Sequence, residues 1–256
     1  MIDVDNISFA YPVEEGKPQP ILQNVSLNIH AGESIAVMGH NGSGKTTFAR
    51  CLNGLLVPTN GTVTVNGIRT SDQKNIVNLR RLVGMVFQNP DNQIVSTTVE
   101  REIAFGLENL GVVYENMHAI VDDMLLKFNL SHYRKHPPHL LSGGEKQRLA
   151  IASVMAMSPR YLVLDEPTSL LDPTNRKMIL NIVKSLHDSP QSITTILITQ
   201  FPEEAFVADR LLVFNQGQLA MDDAPGTIFD RTDELEDMGL EPPLTLKVHA
   251  MLKKYI

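Results

Sequence analysis

Cysteine is almost missing from this sequence, because Cys51 is the only one among 256 residues. A lone cysteine excludes an internal disulfide, which is typical of proteins in a reducing compartment. We therefore expect Cys51 to act as a small buried apolar side chain. The sequence also lacks an N-terminal basic and apolar signal segment, so we expect the chain to be cytosolic.

Long apolar runs and an excess of basic residues are missing too. No run of about 18 or more apolar residues could cross a bilayer. Lys and Arg number 22 against 29 Asp and Glu, which gives a formal net charge of -7. Because nucleic-acid binding needs clustered Lys and Arg, we expect no nucleic-acid partner. The 43% hydrophobic and 20% charged content is that of an ordinary globular protein with one or two closely joined domains.

The patterning divides the chain into a strand-rich first part, a helical middle and a helical end. Up to about residue 87, short strands are broken by turn residues, as in GTVTVNG. The runs GESIAVMG, YLVLDE and TTILIT are nearly all apolar, which is typical of parallel strands covered on both faces. Residues from about 89 to 159 have helical periodicity. We therefore predict an α/β domain over 1–224 with this helical insertion, followed by a short helical extension over 225–256.

The stretch GHNGSGKTT, Gly39 to Thr47, follows an apolar strand and matches the phosphate-loop pattern. Its glycines let the backbone approach anionic oxygens, and its N–H groups form a cradle with the helix N-terminus. We expect Lys45 to reach the β- and γ-phosphates of a nucleotide and the Thr46 hydroxyl to hold Mg²⁺. The nucleotide-binding residues expected here are Asn41, Gly42, Ser43, Gly44, Lys45, Thr46 and Thr47.

A second candidate group is the acidic pair in YLVLDEPTS. The apolar run carries Asp165 to the end of a strand, where its carboxylate can bind the Mg²⁺ shell. Glu166, one residue further, can orient or deprotonate an attacking water. Without the apolar run and the phosphate loop, such a pair would indicate only a solvated surface.

A third group is LLSGGEKQRLAIASVMAM. Ser142 can cap the following helix, and Glu145, three residues on, can complete a capping box. Gly143 and Gly144 leave the N–H groups of the first turn uncovered, and such a helix end attracts phosphate. Capping boxes are common, so the full Leu-Ser-Gly-Gly-Glu string is the informative feature.

The order of four motifs resembles that of the ATP-binding cassette (ABC) ATPases. These motifs are the phosphate loop, the Leu141–Glu145 string, the acidic pair and SLLD at Ser169–Asp172. The resemblance covers roughly residues 1 to 225 and implies a P-loop NTPase core of the ABC type with an N-terminal antiparallel β subdomain. It implies ATP and Mg²⁺ as ligands, Tyr11 stacking on adenine, and Asp172 communicating across a dimer. Gln88 would sense Mg²⁺ and the attacking water. Each ATP would lie between one subunit's phosphate loop and its partner's Ser142, Gly143, Gly144 and Glu145.

The stretch GMVFQNPDNQIVSTTVEREIAFGLENLGV is similar to the energy-coupling factor (ECF) type of ABC importer, especially the first of its two ATPases. That similarity implies a second, homologous ATPase as partner, in a heterodimer or a homodimer. It also implies that a transmembrane component docks on the helix after Gln88, and that a substrate-binding membrane component is a partner only indirectly. The tail MGLEPPLTLKVHAML would help to hold the dimer. An apolar stripe in this helix, which we expect to serve docking, is formed by Val99, Ile103, Leu107 and Leu110. The alternative is that the stripe packs only within its own domain.

Two residues depart from the family pattern. Glu145 stands where the family often has Gln, and a capping box would keep its carboxylate away from a phosphate. Gln200 stands where the family has a switch histidine after the third apolar strand, and we expect it to face the γ-phosphate. Its amide can donate a hydrogen bond but can neither carry positive charge nor exchange a proton.

The leading hypothesis is an ATPase subunit on the cytoplasmic face of the membrane that powers an importer of a micronutrient, a vitamin or a metal ion. Glu166, Gln88 and Gln200 are its expected catalytic residues, and Thr46, Gln88 and Asp165 its expected metal site. One alternative is an ATPase of another ABC transporter. Another is a soluble ABC protein for DNA repair, chromosome organisation or translation. A third is an assembly subunit with almost no hydrolysis, which Gln200 favours and Glu166 opposes.

Overall fold

The structure of the protein, a computed structural model, describes residues 1–12, 18–189 and 192–246. The strands are β1 (Ile2–Tyr11), β2 (Gln19–Ile29), β3 (Ser34–Met38), β4 (Asn60–Val65), β5 (Ile68–Arg69), β6 (Val83–Val86), β7 (Tyr161–Asp165), β8 (Thr194–Ile198), β9 (Arg210–Asn215) and β10 (Gln218–Asp223). The helices are α1 (Lys45–Leu52), α2 (Ile76–Leu82), α3 (Val99–Asn109), α4 (Tyr114–Lys127), α5 (Gly143–Ala156), α6 (Pro173–His187), α7 (Pro225–Phe229) and α8 (Thr232–Asp237).

The strands form two sheets. One sheet has the order β2-β1-β4-β5 and is antiparallel, and the other has the order β10-β9-β3-β8-β7-β6. In the second sheet β9, β3, β8, β7 and β6 are parallel, and β10 is an antiparallel edge strand. This arrangement confirms the predicted α/β core with an N-terminal antiparallel sheet. The carboxyl ends of β3, β6, β7 and β8 therefore meet at one edge, where ligands bind in sheets of this kind.

The central strands are buried on both faces, as their apolar runs predict. Every residue of β3, β7 and β8 is buried. Because side chains alternate across a strand, Val163 packs toward the antiparallel sheet while Leu164 packs toward the helical region. Cys51 is fully buried in the same core as Val163, beneath the antiparallel sheet, and forms no disulfide, as expected.

The segment from residue 89 to residue 159, all of which the structure describes, contains helices and no strand. The expectation that its apolar stripe serves docking is wrong. Val99 and Ile103 are fully buried and Leu107 is 2% exposed, because this face of α3 packs into the core formed with α4 and α5. Leu110 is half-buried. The stripe is therefore core packing, as in the alternative, and its three buried members are not a docking surface.

The sequence patterning did not predict the hairpin formed by β9 and β10. It turns at Gln216 and Gly217, which both have positive φ. Beyond it, α7 and α8 cover one face of the sheet, since Ile228, Phe229 and Leu235 pack with residues of β3 and β9. The predicted last helix, after the Pro242-Pro243 break, falls largely on residues 247–256, outside the described part of the chain.

Candidate nucleotide-binding and catalytic site

The phosphate loop connects β3 to α1 and depends on glycine at two positions. Gly39 has φ +153, and a Cβ there would lie 2.3 Å from the Phe214 carbonyl oxygen. Gly44 caps α1 with φ +103, and a Cβ there would lie 2.9 Å from the Ile21 carbonyl oxygen. Because both positions exclude a side chain, the loop packs closely against β9 and β2, and its backbone N–H groups lie at the start of α1, where an anion can bind.

Lys45, the first residue of α1, is held against the loop. Its Nζ donates hydrogen bonds to the carbonyl oxygens of Gly39 at 2.8 Å and His40 at 3.0 Å. Burial lowers the pKa of Lys45, while Glu166 and Asp165 act in the opposite direction. An ammonium with few water contacts and two acidic neighbours is a strong fixed charge for phosphate oxygens.

Two of the three expected Mg²⁺ ligands, Thr46 and Asp165, lie together. Thr46 Oγ1 donates a hydrogen bond to Asp165 Oδ1 over 2.9 Å. Burial is the main cause of the raised pKa of Asp165, which is 4% exposed, and the hydroxyl of Thr46 opposes it. A buried carboxylate beside a hydroxyl fits Mg²⁺, which prefers oxygen and is held by few protein ligands.

Glu166 occupies a strained position at the end of β7. Its φ is +47, a left-handed conformation that is uncommon for a side chain of this size, and its N–H donates to the Ile198 carbonyl oxygen at 3.1 Å. Gln88 Nε2 donates to Glu166 Oε2 at 3.0 Å and to Ser169 Oγ at 3.2 Å. Burial raises the pKa of the Glu166 carboxyl. A raised pKa suits a group that accepts a proton from water.

Lys45, Thr46, Gln88 and Glu166 line a cleft of about 600 Å³, and Asp165 is not among its lining residues. Its lining residues are Tyr11, Ile21, Asn41, Gly42, Gly44, Lys45, Thr46, Thr47, Gln88, Glu166 and Gln200. The Tyr11 ring stands edge-on to Phe9 with centroids 4.9 Å apart, and its hydroxyl lies 3.5 Å from Thr47 Oγ1. The structure therefore brings Tyr11 and Gln200 to the phosphate loop. Ile21, an ordinary strand residue, is a lining residue that the sequence analysis missed.

Ser43 differs from the other predicted residues of the loop. Its side chain is fully buried and is not part of the cleft lining. Its Oγ has no hydrogen-bond partner among the described residues, and its carbonyl oxygen accepts from Gly217 N at 3.1 Å. The Ser43 side chain therefore contributes to the shape of the loop rather than to the cleft surface.

The signature string lies at the start of α5, apart from the cleft lining. The predicted capping box is confirmed, because Ser142 N donates to Glu145 Oε2 at 2.8 Å and Glu145 N donates to Ser142 Oγ at 3.4 Å. The Tyr133 hydroxyl is the main cause of the lowered pKa of Glu145. The carboxylate is thus turned back onto its own helix end.

Asp172 and Gly144 fix the packing of α6 beside that helix. Asp172 caps α6, with Oδ1 accepting from Thr174 N at 2.9 Å and from Asn175 N at 3.1 Å. A Cβ on Gly144 would lie 2.2 Å from Asn175 Oδ1, whereas a Cβ on Gly143 would make only an ordinary contact with Leu171 Cδ2 at 3.7 Å. Asp172 and the signature residues therefore form a second group, separate from the cleft within one chain.

Comparison with known proteins identifies the group to which this geometry belongs. The family model described as ABC transporter matches residues 22–169. Energy-coupling factor transporter ATP-binding protein EcfA1 of Clostridium novyi is 45% identical over 95% of this chain and 86% of the relative. The structure of cbiO1 from Clostridium perfringens superposes with a TM-score of 0.82 at 30% identity, covering 98% of each chain.

A third comparison is with the ATP-binding cassette MJ0796, described as a dimeric post-hydrolysis state bound to ADP and Pi. It has a TM-score of 0.80 at 28% identity and covers 88% of this chain and 99% of that chain. Among the described residues, no helix has both the length and the apolar character that crossing a membrane requires. This chain belongs to the ABC transporter family, as an ATPase of the energy-coupling factor type.

Proposed function

We propose that this chain binds Mg-ATP in the cleft around Lys45 and hydrolyses it with Glu166 as the residue that positions and deprotonates the attacking water. One observation supports this assignment above the others. Gln88 Nε2 holds Glu166 Oε2 at 3.0 Å, and both residues line the same cleft as the phosphate-loop lysine. A half-buried carboxylate with a raised pKa is thereby held in the cleft, where it can accept a proton from water.

The residues of the site have different roles in this proposal, according to their chemistry. The loop N–H groups and Lys45 bind and orient the phosphates, while Tyr11 supplies an aromatic face for adenine. Thr46 and Asp165 would hold Mg²⁺, with Gln88 as an expected further contact, and the ion would neutralise charge on the phosphate oxygens. Gln200 would donate a neutral hydrogen bond toward the γ-phosphate.

A second ATPase completes the site in this proposal. Ser142, Gly144 and Asp172 do not line the cleft of their own chain, so within a dimer they would serve the ATP of the partner. Leu140, beside the signature string, is 68% exposed, and Leu170, beside Asp172, is 65% exposed. Exposed apolar side chains next to both groups support burial of this surface against another subunit.

The exposed side of α3 is the proposed contact for the transmembrane component of an importer. Phe105 is 46% exposed on α3, and Val95, just before the helix, is 65% exposed. The relative of known structure is described as part of the ABC transporter complex cbiONQ. We infer that this chain sits peripherally on the cytoplasmic face of a membrane, where dimer closure drives uptake of a micronutrient that never touches it.

The test is ATP-driven uptake by the complex purified from membranes, with Glu166→Gln as the variant. We expect the variant to bind ATP, to release at least about 100-fold less phosphate and to stop uptake, because an amide cannot accept the proton of water. Glu115→Gln, an exposed carboxylate on α4, is the matched control. Phosphate release by Glu166→Gln at the rate of this control would refute the assigned role.

A further inference from the structure

Glu204 is a buried carboxylate for which the proposed mechanism has no use. It lies in the short 3-10 helix Pro202–Val207 and is 2% exposed. Its Oε2 accepts hydrogen bonds from Thr199 Oγ1 at 2.5 Å and from Thr168 Oγ1 at 2.9 Å. Both hydroxyl groups are buried with it. One oxygen atom therefore joins two loops that are far apart in the sequence.

Each threonine is close in sequence to a residue of the catalytic cleft. Thr199 immediately precedes Gln200, and its Oγ1 also accepts a hydrogen bond from Phe201 N at 3.0 Å. Thr168 lies two residues after Glu166, in the turn that Ser169 N closes on the Glu166 carbonyl oxygen at 3.2 Å. Fixing the two hydroxyls on one carboxylate thus fixes the backbones that carry Gln200 and Glu166.

Arg176 adds the third element to this cluster. Its Nε lies 3.7 Å from Glu204 Oε1, and its guanidinium carbon lies 3.6 Å from the centroid of the Phe201 ring. Arg176 N donates to the Asp172 carbonyl oxygen at 2.9 Å, in the first turn of α6. The ring contact and the ion pair hold Phe201, the residue after Gln200, against α6.

The chemistry of the cluster favours a positioning role over general core stability. Glu204 Oε1 and Arg176 Nε are buried and lack a hydrogen-bond partner among the described residues. A buried ion pair with incomplete hydrogen bonding is no more stabilising than apolar packing of similar volume. Its distinctive contribution is directional, since a carboxylate can hold two hydroxyls at fixed positions and an apolar side chain cannot.

We propose that Glu204 is a positioning residue for ATP hydrolysis, which sets the distance between Gln200 and Glu166 across the cleft through Thr199 and Thr168. This inference rests on the proposed function, because it takes Glu166 and Gln200 as the groups that act on the γ-phosphate and the water. Glu204 itself is not among the residues that line the cleft. Its effect is therefore on the rate of the chemical step rather than on the binding of ATP.

The experiment compares three isosteric variants in the purified complex. Thr199→Val and Thr168→Val each remove one hydroxyl from Glu204 while keeping the branched shape of the side chain. Thr195→Val is the matched control, because Thr195 is a buried threonine on β8 whose hydroxyl lies 3.1 Å from Ser34 Oγ, away from the cleft lining. For each variant the kcat of ATP hydrolysis, the Kd of ATP and the thermal unfolding midpoint are measured.

We expect kcat to fall about tenfold or more in Thr199→Val and Thr168→Val, with the Kd of ATP within about twofold of wild type, because a displaced group weakens only the chemical step. The Thr195→Val variant should lose about as much stability as the other two threonine variants but should keep the kcat of wild type. Glu204→Gln should retain more activity than Glu204→Ala, since an amide oxygen still accepts from both hydroxyls.

An equal kcat in the three threonine variants, or a raised Kd of ATP in Thr199→Val and Thr168→Val with kcat at the level of the control, would overturn the positioning role. The fate of the proposed function is read separately from Glu166→Gln. If that variant stops hydrolysis while Thr199→Val and Thr168→Val match the control, only the inference about Glu204 fails. If Glu166→Gln remains active, the proposed function fails, and the inference about Glu204 fails with it.

Discussion

Gln88 donates a hydrogen bond to Glu166 over 3.0 Å, although the two residues lie 78 positions apart in the chain. The contact forms because β6 and β7 are parallel neighbours, so the residues after their carboxyl ends meet at the same edge. Glu166 is also held from behind by its own N–H on Ile198 at 3.1 Å. Glu166 is thus restrained from both sides, its carboxylate by Gln88 after β6 and its backbone by Ile198 of β8.

Replacement of the phosphate-loop lysine tests the binding half of the site. We expect Lys45→Met to lower ATP affinity at least about 100-fold, because a fixed positive charge is lost from a buried phosphate cradle. Methionine keeps the volume of the aliphatic stem, so the fold should persist. ATP titration and thermal unfolding measure the two effects, with the exposed Lys74→Met as control. Unchanged affinity in a folded Lys45→Met protein would contradict the assignment of this cleft.

The two signature glycines should respond differently to the same methyl group. Gly144→Ala places Cβ 2.2 Å from Asn175 Oδ1, while in Gly143→Ala the nearest atom is 3.7 Å away. We expect Gly144→Ala to lower the free energy of unfolding by about 1–3 kcal/mol, the usual range for overpacking. Gly143→Ala should be neutral or should stabilise by up to about 1 kcal/mol, since alanine favours a helix.

Urea unfolding of both glycine variants is the measurement, with Asn175→Ala combined with Gly144→Ala as a further arm. Removing the Asn175 amide should restore part of the lost stability, because the clash is with that side chain. Equal unfolding free energies for Gly143→Ala and Gly144→Ala would show that α5 and α6 are not packed as closely as the structure indicates.

Neighbouring positions on α3 separate core packing from docking. Ile103 is fully buried, and Phe105 is 46% exposed. We expect Ile103→Glu to destabilise the protein strongly, because it buries an unpaired charge. Phe105→Glu should spare folding and ATP hydrolysis by the ATPase dimer but reduce recovery of the membrane component in co-purification and uncouple uptake. Full uptake with Phe105→Glu would exclude this face of α3 as the docking surface.

The sequence predicted a feature well when the residues that form it are contiguous in the chain. The phosphate loop and the Ser142–Glu145 capping box are built from contiguous residues, so their pattern determined their geometry. The α3 stripe showed which face is apolar but not which surface covers it, since the same periodicity serves a core and a docking groove. The β9–β10 hairpin was missed, although the NQG turn between apolar runs could have indicated it.

Glu204 shows what the sequence could not reveal. In FPEEA it is one of two adjacent glutamates, and such a pair at the start of a short helix is typical of a solvated surface. Its burial results from the meeting of β7, β8 and α6, which brings Thr168, Thr199 and Arg176 around it. The same dependence on tertiary contacts explains why Ile21 was not predicted as a lining residue.

Gln200 provides the last prediction. It lines the same cleft as Lys45 and Glu166, where a histidine could make a charge-assisted hydrogen bond to the γ-phosphate. The difference between a neutral and a charge-assisted hydrogen bond is on the order of 1 kcal/mol. We therefore expect Gln200→His to raise hydrolysis severalfold to about tenfold at this chain's phosphate loop. Gln200→Ala, which removes the donor, should lower it.

The measurement is single-turnover hydrolysis with the partner's own site disabled, so that only the cleft of this chain is observed. Glu166→Gln combined with Gln200→His is the control, and it should be inactive because the donor cannot replace the base. The pH dependence of the Gln200→His rate is a further test. A histidine donor is charged only below its pKa, so its advantage over glutamine should shrink as the pH rises. A rate that does not change, or that falls, would mean that Gln200 is the better donor for a site that holds ATP before it is cleaved.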